Sequence, residues 1–346
     1  MATKGTVIGG GSYASGGQNH FVLATIDLDA PSPVAEPMPL AFLAHGVSVH
    51  PREPWRAAVF EKKGPGACLV DLRARAVERP VETSRSRRFY GHGAWSPDGS
   101  VLYATESRVD RNFAGLLVAR DGVTLRELGA IDTGGLSPHD CRLLDGGRVM
   151  AVTNGGGPTD ARGGAPSVTF LDLATRKVLD RVALSGSRVN AGHVDVGPRG
   201  EAVVVSAPRE GFSDADRRPG GVSILRPGES TARTLTEPHA VVCRMVGEAL
   251  SVALDAARGV ALVTHPLGDC VSMWRADDAS SLGTLELRGP RGVALTLDRA
   301  WYVVSHFGER NPRLSAFSAE TLAPAGFAVD PSYLTGSHVV VHDLGR

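Results

Sequence analysis

Four histidines recur along the chain, each opening a short apolar stretch. HGVSVHP begins at His45, HGAWSPDG at His92, HDCRLLDGG at His139 and HVDVGPRG at His193. The first three lie 47 residues apart and the fourth follows after 54. Neutral imidazole suits iron, copper, zinc and nickel. Four imidazoles brought to one point make a mononuclear metal site without thiolate, for which iron(II) ranks first and copper second. Such a site leaves a position for dioxygen or a small-molecule substrate, so the chemistry it suggests is that of a non-haem, metal-dependent oxidoreductase. The alternative is a ring of structural histidines copied along with a repeat, which makes the chain a metal-free scaffold for a ligand or partner.

The elements that must position these residues repeat with them. After each histidine comes a turn rich in Gly, Asp or Pro and a second apolar strand: RAAVF (56–60), VLYAT (101–105), RVMAVT (148–153) and AVVVS (202–206). The period continues without the histidine in LSVALDAARGVALVTH from Leu250 and RGVALTLDRAWYVVSH from Arg291. A third strand follows each pair and a weaker fourth closes each unit. Four short strands per roughly 40–50 residues, with almost no helical period, is the pattern of a β-propeller blade. Six such units run from His45 to about Asp330. SHVVVHDLGR at the C-terminus supplies one strand near His338, and the stretch before His45 supplies three. The chain therefore reads as an all-β, seven-bladed β-propeller, a single domain over 1–346, its ring closed by the C-terminal strand joining three N-terminal strands in one blade. The longer stretch PREGFSDADRRPG (208–220) reads as a polar loop.

In a propeller the first strand of each blade lines the axis, so the four histidines should gather at one channel mouth. Gly46, Gly91, Gly93 and Gly192 beside them permit close backbone approach. The ends of the second strands reach the same face, which brings in Glu61, Glu106, Asn154, His265 and His306. Glu106 or Glu61 is the expected acceptor that orients an imidazole N–H, and His265 and His306 are candidate acid–base groups. His338, opening the last inner strand, can complete the ring from the other side. Asp140 does not read as the partner of His139, because adjacent strand residues face opposite ways. No GxSxG elbow accompanies Ser137, and neither GGG at 155–157 nor GGGS at 9–12 has the setting of a phosphate loop.

Composition excludes several functions. Lys plus Arg and Asp plus Glu are 37 each, so no basic face is implied, and with only 5% aromatic residues nucleic acid is not an expected partner. No apolar run approaches the roughly 20 residues of a membrane span. The four cysteines, Cys68, Cys141, Cys243 and Cys270, form no CxxC pair and read as free thiols. A monomer is expected. MATKGTVIGGGSYASGG lacks the apolar core of a signal peptide, which taken alone reads as cytoplasmic.

The motifs FYGHGAWSPDGSVLYATE (89–106), SPHDCRLLDGG (137–147) and AVTNGGG (151–157) resemble a bacterial propeller family described only as a domain of unknown function. Its members are commonly exported and often grouped with imelysin-type, iron-regulated proteins. The resemblance implies a propeller, an iron-related context and a periplasmic location. It is densest from His45 to about Gly200, and His45, His92, Glu106, His139, Asn154 and His193 match its motifs. Arg291 stands where the family often has a small residue, and His338 is outside its pattern. The resemblance supplies no reaction.

Overall fold

The computed structural model describes residues 3–160, 162–209 and 219–345. Among them the chain is built almost wholly of strands. Helix is limited to the short turn His239–Val242 and two 3-10 turns, Val109–Arg111 and Asp145–Gly147. No described helix is long and apolar enough to cross a membrane. None of the four cysteines is in a disulfide, and all but Cys243 are buried.

The second strands fall where their apolar runs predict, at Arg56–Phe60, Val101–Arg108, Val149–Asn154 and Ala202–Ser206. Every residue of Ala202–Ser206 is buried. A strand with sheets packed on both its faces has no solvent side, so it reads as a continuous apolar run rather than an alternating one. The outermost strands behave oppositely. Lys177–Leu184 is exposed along most of its length, and its charged residues blunt the part of this sheet edge that is left unpaired.

Hydrogen bonding divides the strands into six sheets: four of four strands, one of five and one of eight. The eight-stranded sheet consists of two four-strand meanders, from Pro138 to Leu184 and from Val194 to Thr234. They are fused where Ala183 pairs with Thr231 and Leu184 with Ala232, in parallel, at their outer edges. The fifth strand of the five-stranded sheet is Lys62–Gly64, laid against the inner strand Arg87–Trp95. The C-terminal strand Val339–His342 pairs antiparallel with Thr6–Ser15, which continues into Gln18–Asp27 and Ala35–Leu40.

The arrangement is propeller-like. Inner strands touch in succession: Gly46–Val49, Arg87–Trp95, Pro138–Leu144, Val194–Val196, Val252–Asp255, Val293–Leu295 and Val339–His342. The last of these touches the first. The apolar core is correspondingly divided, each cluster drawing its side chains from two successive meanders. Val203, Val205 and Ile224 pack on Val252, Val263 and Trp274, and Val7 and Ile26 pack on Val303 and Leu314. The polar loop expected over 208–220 lies mostly outside the described residues. Its ends, Pro208 and Pro219, are held by isolated bridges to Val189 and Val246.

Hydroxyl groups near the ends of second strands tie each meander to the next. Thr105 Oγ1 donates to the carbonyl of His139 at 2.9 Å, Thr153 Oγ1 to that of Gly192 at 2.6 Å, and Thr264 Oγ1 to that of Arg291 at 2.6 Å. These bonds fix the backbone of the inner strands at the depth where the histidines sit.

Candidate metal centre

Two of the histidines sit in bulges rather than at strand starts. The strand carrying His92 begins at Arg87. Within it Gly93 pairs with Ala104 and Phe89 with Glu106, so Tyr90, Gly91 and His92 together oppose Thr105. In the next meander His139 and Asp140 oppose Thr153 in the same way. A bulge re-aims side chains that strict alternation would send to opposite faces. Gly91 is required here. Its φ is +116°, and a Cβ at this position would lie 2.5 Å from Cδ2 of His45. Gly91 therefore allows the His45 imidazole to lie across the backbone of the next strand, while Gly93 makes room for the Phe60 ring and the Tyr103 carbonyl.

Five imidazoles converge. Ligand atoms of His45, His92, His193 and His338 all lie within 4.8 Å of one another. His139 adjoins them, its Nε2 being 3.3 Å from that of His45 and 2.6 Å from that of His193. His193 Nε2 is also 3.2 Å from His45 Nε2 and 2.7 Å from His338 Nε2. Of the ligands expected from sequence, His45, His92 and His193 thus belong to the compact set, His139 flanks it, and His338 enters from the last strand.

A hydrogen bond on the far side of one ring fixes its tautomer, and a carboxylate lies beside another. His139 Nδ1 lies 2.8 Å from the carbonyl oxygen of Tyr90, which can only accept, so Nδ1 carries the proton and Nε2 presents a lone pair. His92 Nδ1 lies 3.2 Å from Asp140 Oδ1, whose negative charge favours the proton on that nitrogen, and its Nε2 is buried without a partner among the described residues. His193 Nε2 then faces three other Nε2 atoms. A single proton can satisfy only one such contact, and without it lone pairs oppose one another. A cation at the centre resolves the conflict. Metal–nitrogen bonds near 2.1 Å put tetrahedral ligand atoms about 3.4 Å apart, close to the wider spacings seen here.

Burial supports the same reading. All five imidazoles have their pKa held well below the ordinary histidine value. Loss of solvation is the first cause in each, followed by repulsion from neighbouring imidazoles or from the charges of Lys62 and Arg142. They are neutral at pH 7, the form that donates a lone pair to a metal.

The carboxylate beside an imidazole is Asp140, not Glu106. Asp140 Oδ2 accepts from the Val194 N–H at 3.0 Å and Oδ1 from that of Cys141 at 2.8 Å, so its orientation toward His92 is rigid. Glu106 is fully buried, but its partners are Arg120, Thr83 and Arg87, and it locks the outer part of its own meander. Glu61 accepts from the Gly66 N–H, and Asn154 bonds Thr133 and Thr169. His265 and His306 turn to the hydroxyls of Ser272 at 2.7 Å and Ser315 at 2.9 Å, along their own sheets. Among the described residues, no hydrogen bond or ion pair joins these side chains to the five imidazoles.

A family described as "Protein of unknown function (DUF1513)" matches residues 38–330. The chain belongs to it. His45, His92, His139, His193 and Asp140 lie within the matched region, and His338 lies beyond it. No sequence match was found among curated proteins. Among solved structures, Kuenenia stuttgartiensis hydrazine synthase is similar in fold, with a TM-score of 0.67 and 12% identity over 87% of this chain and 92% of that one. In all, 1182 solved chains match, and a fold so widely shared specifies no reaction.

In this DUF1513 member the Asp140 contact is open to test. Asp140→Asn keeps the size of the side chain but removes the carboxylate that makes His92 a basic ligand. It should weaken metal binding by about 10–100-fold, with little change in the circular dichroism spectrum. Titration of metal-free protein with Zn(II) against a chromophoric chelator measures this, and an unchanged affinity refutes the role given to Asp140.

Proposed function

We propose that this protein is a seven-bladed propeller whose axis holds a single transition-metal ion on histidines contributed by separate blades. The fused eight-stranded sheet is read as two blades that touch at their outer edges. The ligands are drawn from His45, His92, His139, His193 and His338. Imidazole suits both iron(II) and copper; iron(II) is the first choice because of the iron-related context that the family resemblance implies, and copper the second. The observation that carries the reading is the crowding at His193 Nε2, where three other imidazole nitrogens meet and no placement of protons satisfies them.

Bound iron or copper supplies an open coordination position and redox chemistry, so the activity proposed is that of a non-haem metal-dependent oxidoreductase acting with dioxygen on a small molecule. The protein's part is to hold the ligands ready. The Tyr90 carbonyl and Asp140 keep the protons of His139 and His92 on Nδ1. Thr105 and Thr153 fix the strands that carry His139 and His193, and burial keeps every ring neutral.

The test is metal loading. Protein stripped with a chelator and offered Fe(II) without oxygen, or Cu(II) or Zn(II), should retain about one equivalent after desalting, as measured by elemental analysis. Failure to retain any of the three ends the proposal.

A further inference from the structure

A cavity of about 500 Å³ opens beside the imidazoles, with His139 in its wall. That volume lies in the range of small-molecule sites. Its charge is unusual for a chain whose basic and acidic residues balance at 37 each. Lys62, Lys63, Arg209 and Arg291 line it, with Glu248 the one carboxylate among the lining residues. Arg209 is committed, donating to the carbonyls of Gly156, Gly157, Pro158 and Gly164. Lys62 and Arg291 are held more loosely. Lys62 makes an ion pair with Glu248, Nζ to Oε1 3.8 Å, longer than a hydrogen bond. Arg291 donates one bond, from Nε to the Gly336 carbonyl at 3.2 Å, and its Nη groups have no hydrogen-bond partner among the described residues.

These cations stand where they cost most. The charge of Lys62 acts on His45, His92, His139 and His338, and Lys62 and Arg291 are themselves pushed toward neutrality by burial. A metal ion held by neutral imidazoles repels both. Two cations that share the single carboxylate Glu248 leave an excess of positive charge next to a cation site, and an anion entering between them and the metal offsets it. The rest of the wall is partly apolar, with Leu250, Pro266 and Leu267.

We infer that the cavity binds a small organic carboxylate, its anionic group held by Lys62 and Arg291 and its apolar part against Leu250, Pro266 and Leu267. The inference rests on the reading of the histidine cluster as the working centre, and it names the substrate class for that centre.

Zinc-loaded protein is titrated calorimetrically with benzoate, with benzamide as its uncharged counterpart, and with inorganic phosphate. Benzoate should bind at least about tenfold more tightly than either of the others, and Arg291→Met and Lys62→Met should each weaken it by at least about tenfold while leaving metal content unchanged. Using two variants guards against one that fails to fold. Equal binding of benzoate and benzamide, equal binding of phosphate, no binding of benzoate, or full affinity in both variants overturns the inference. The His193→Ala protein separates the two readings. Metal loss there with a retained preference for benzoate over benzamide upholds the anion site independently, and wild-type protein that holds metal without preferring benzoate overturns the carboxylate inference alone.

Discussion

Replacing His193 with alanine is expected to lower metal affinity by more than about 100-fold, the upper end of what loss of a mere supporting contact produces. The reason is positional. His193 Nε2 is within 3.2 Å of the Nε2 atoms of His45, His139 and His338, so its removal takes away the one nitrogen common to the three closest pairs. The remaining imidazoles keep their own supports, Tyr90 for His139 and Asp140 for His92, so the fold should survive. The same crowding makes a second, less obvious prediction about the metal-free state. Without a cation the His193 lone pair is opposed by its neighbours, and deleting the ring relieves that repulsion. Metal-free His193→Ala should therefore lose less stability than the roughly 2–5 kcal/mol typical of a large-to-small change in a core. Elemental analysis and urea unfolding of both proteins, each stripped and reloaded with Zn(II), give the two answers. A variant that retains one equivalent of metal contradicts the central role of His193. A stripped variant that loses the full cavity cost argues that the rings satisfy one another by hydrogen bonds and need no ion.

The repeat was legible because packing enforces it. Each meander buries both faces of its middle strands, so RAAVF and AVVVS have to be apolar throughout, and the turns between them have to be Gly- or Asp-rich. The histidines share that register, which brings His45, His92, His139 and His193 together in space. His338 was harder to place, since it is 145 residues from His193 in sequence and reaches it only because the C-terminal strand pairs with Thr6–Ser15. Alternation rightly separated Asp140 from its neighbour His139, but it could not show that Asp140, in the bulge opposite Thr153, would lie beside His92 of the preceding meander. Nothing in the pair His-Asp marks that bulge, although Gly91, with its positive φ, marks the equivalent one beside His92. Glu106 drew attention as an acid at a strand end near the channel. Its true partner was signalled by Arg120, an arginine closing the apolar run GLLVAR and itself buried. The fusion of two meanders rests on two residue pairs of outer strands, too little to leave a trace in the sequence.

Acid should destabilise this protein from about pH 6.5 downward, and His265 isolates one proton of that effect. Its ring is buried and bonded through Nε2 to Ser272 Oγ, which also accepts from the Trp274 indole N–H at 2.8 Å. Ser272 Oγ has two lone pairs and one proton, so it can serve either tautomer of the ring, while Nδ1 is buried without a partner among the described residues. A second proton on the ring places a charge where no solvent reaches it. Burial accordingly pushes the pKa down to about 3. The sign follows from linkage. In the unfolded chain the ring binds a proton near the ordinary value of about 6.5, and in the folded chain it does not until about pH 3. Between those limits the unfolded state holds one more proton, so folding loses about 1.4 kcal/mol for each pH unit that the solution falls. Above pH 6.5 the group makes no difference. His265→Gln keeps an acceptor for Ser272 without the titration. Between pH 6.5 and pH 4.5 the stability difference between wild type and this variant should move by roughly 2 kcal/mol in the variant's favour. Urea unfolding of the metal-free proteins at these two pH values measures it, and stability curves that stay parallel across the interval show that His265 takes up its proton in the folded state as easily as in water.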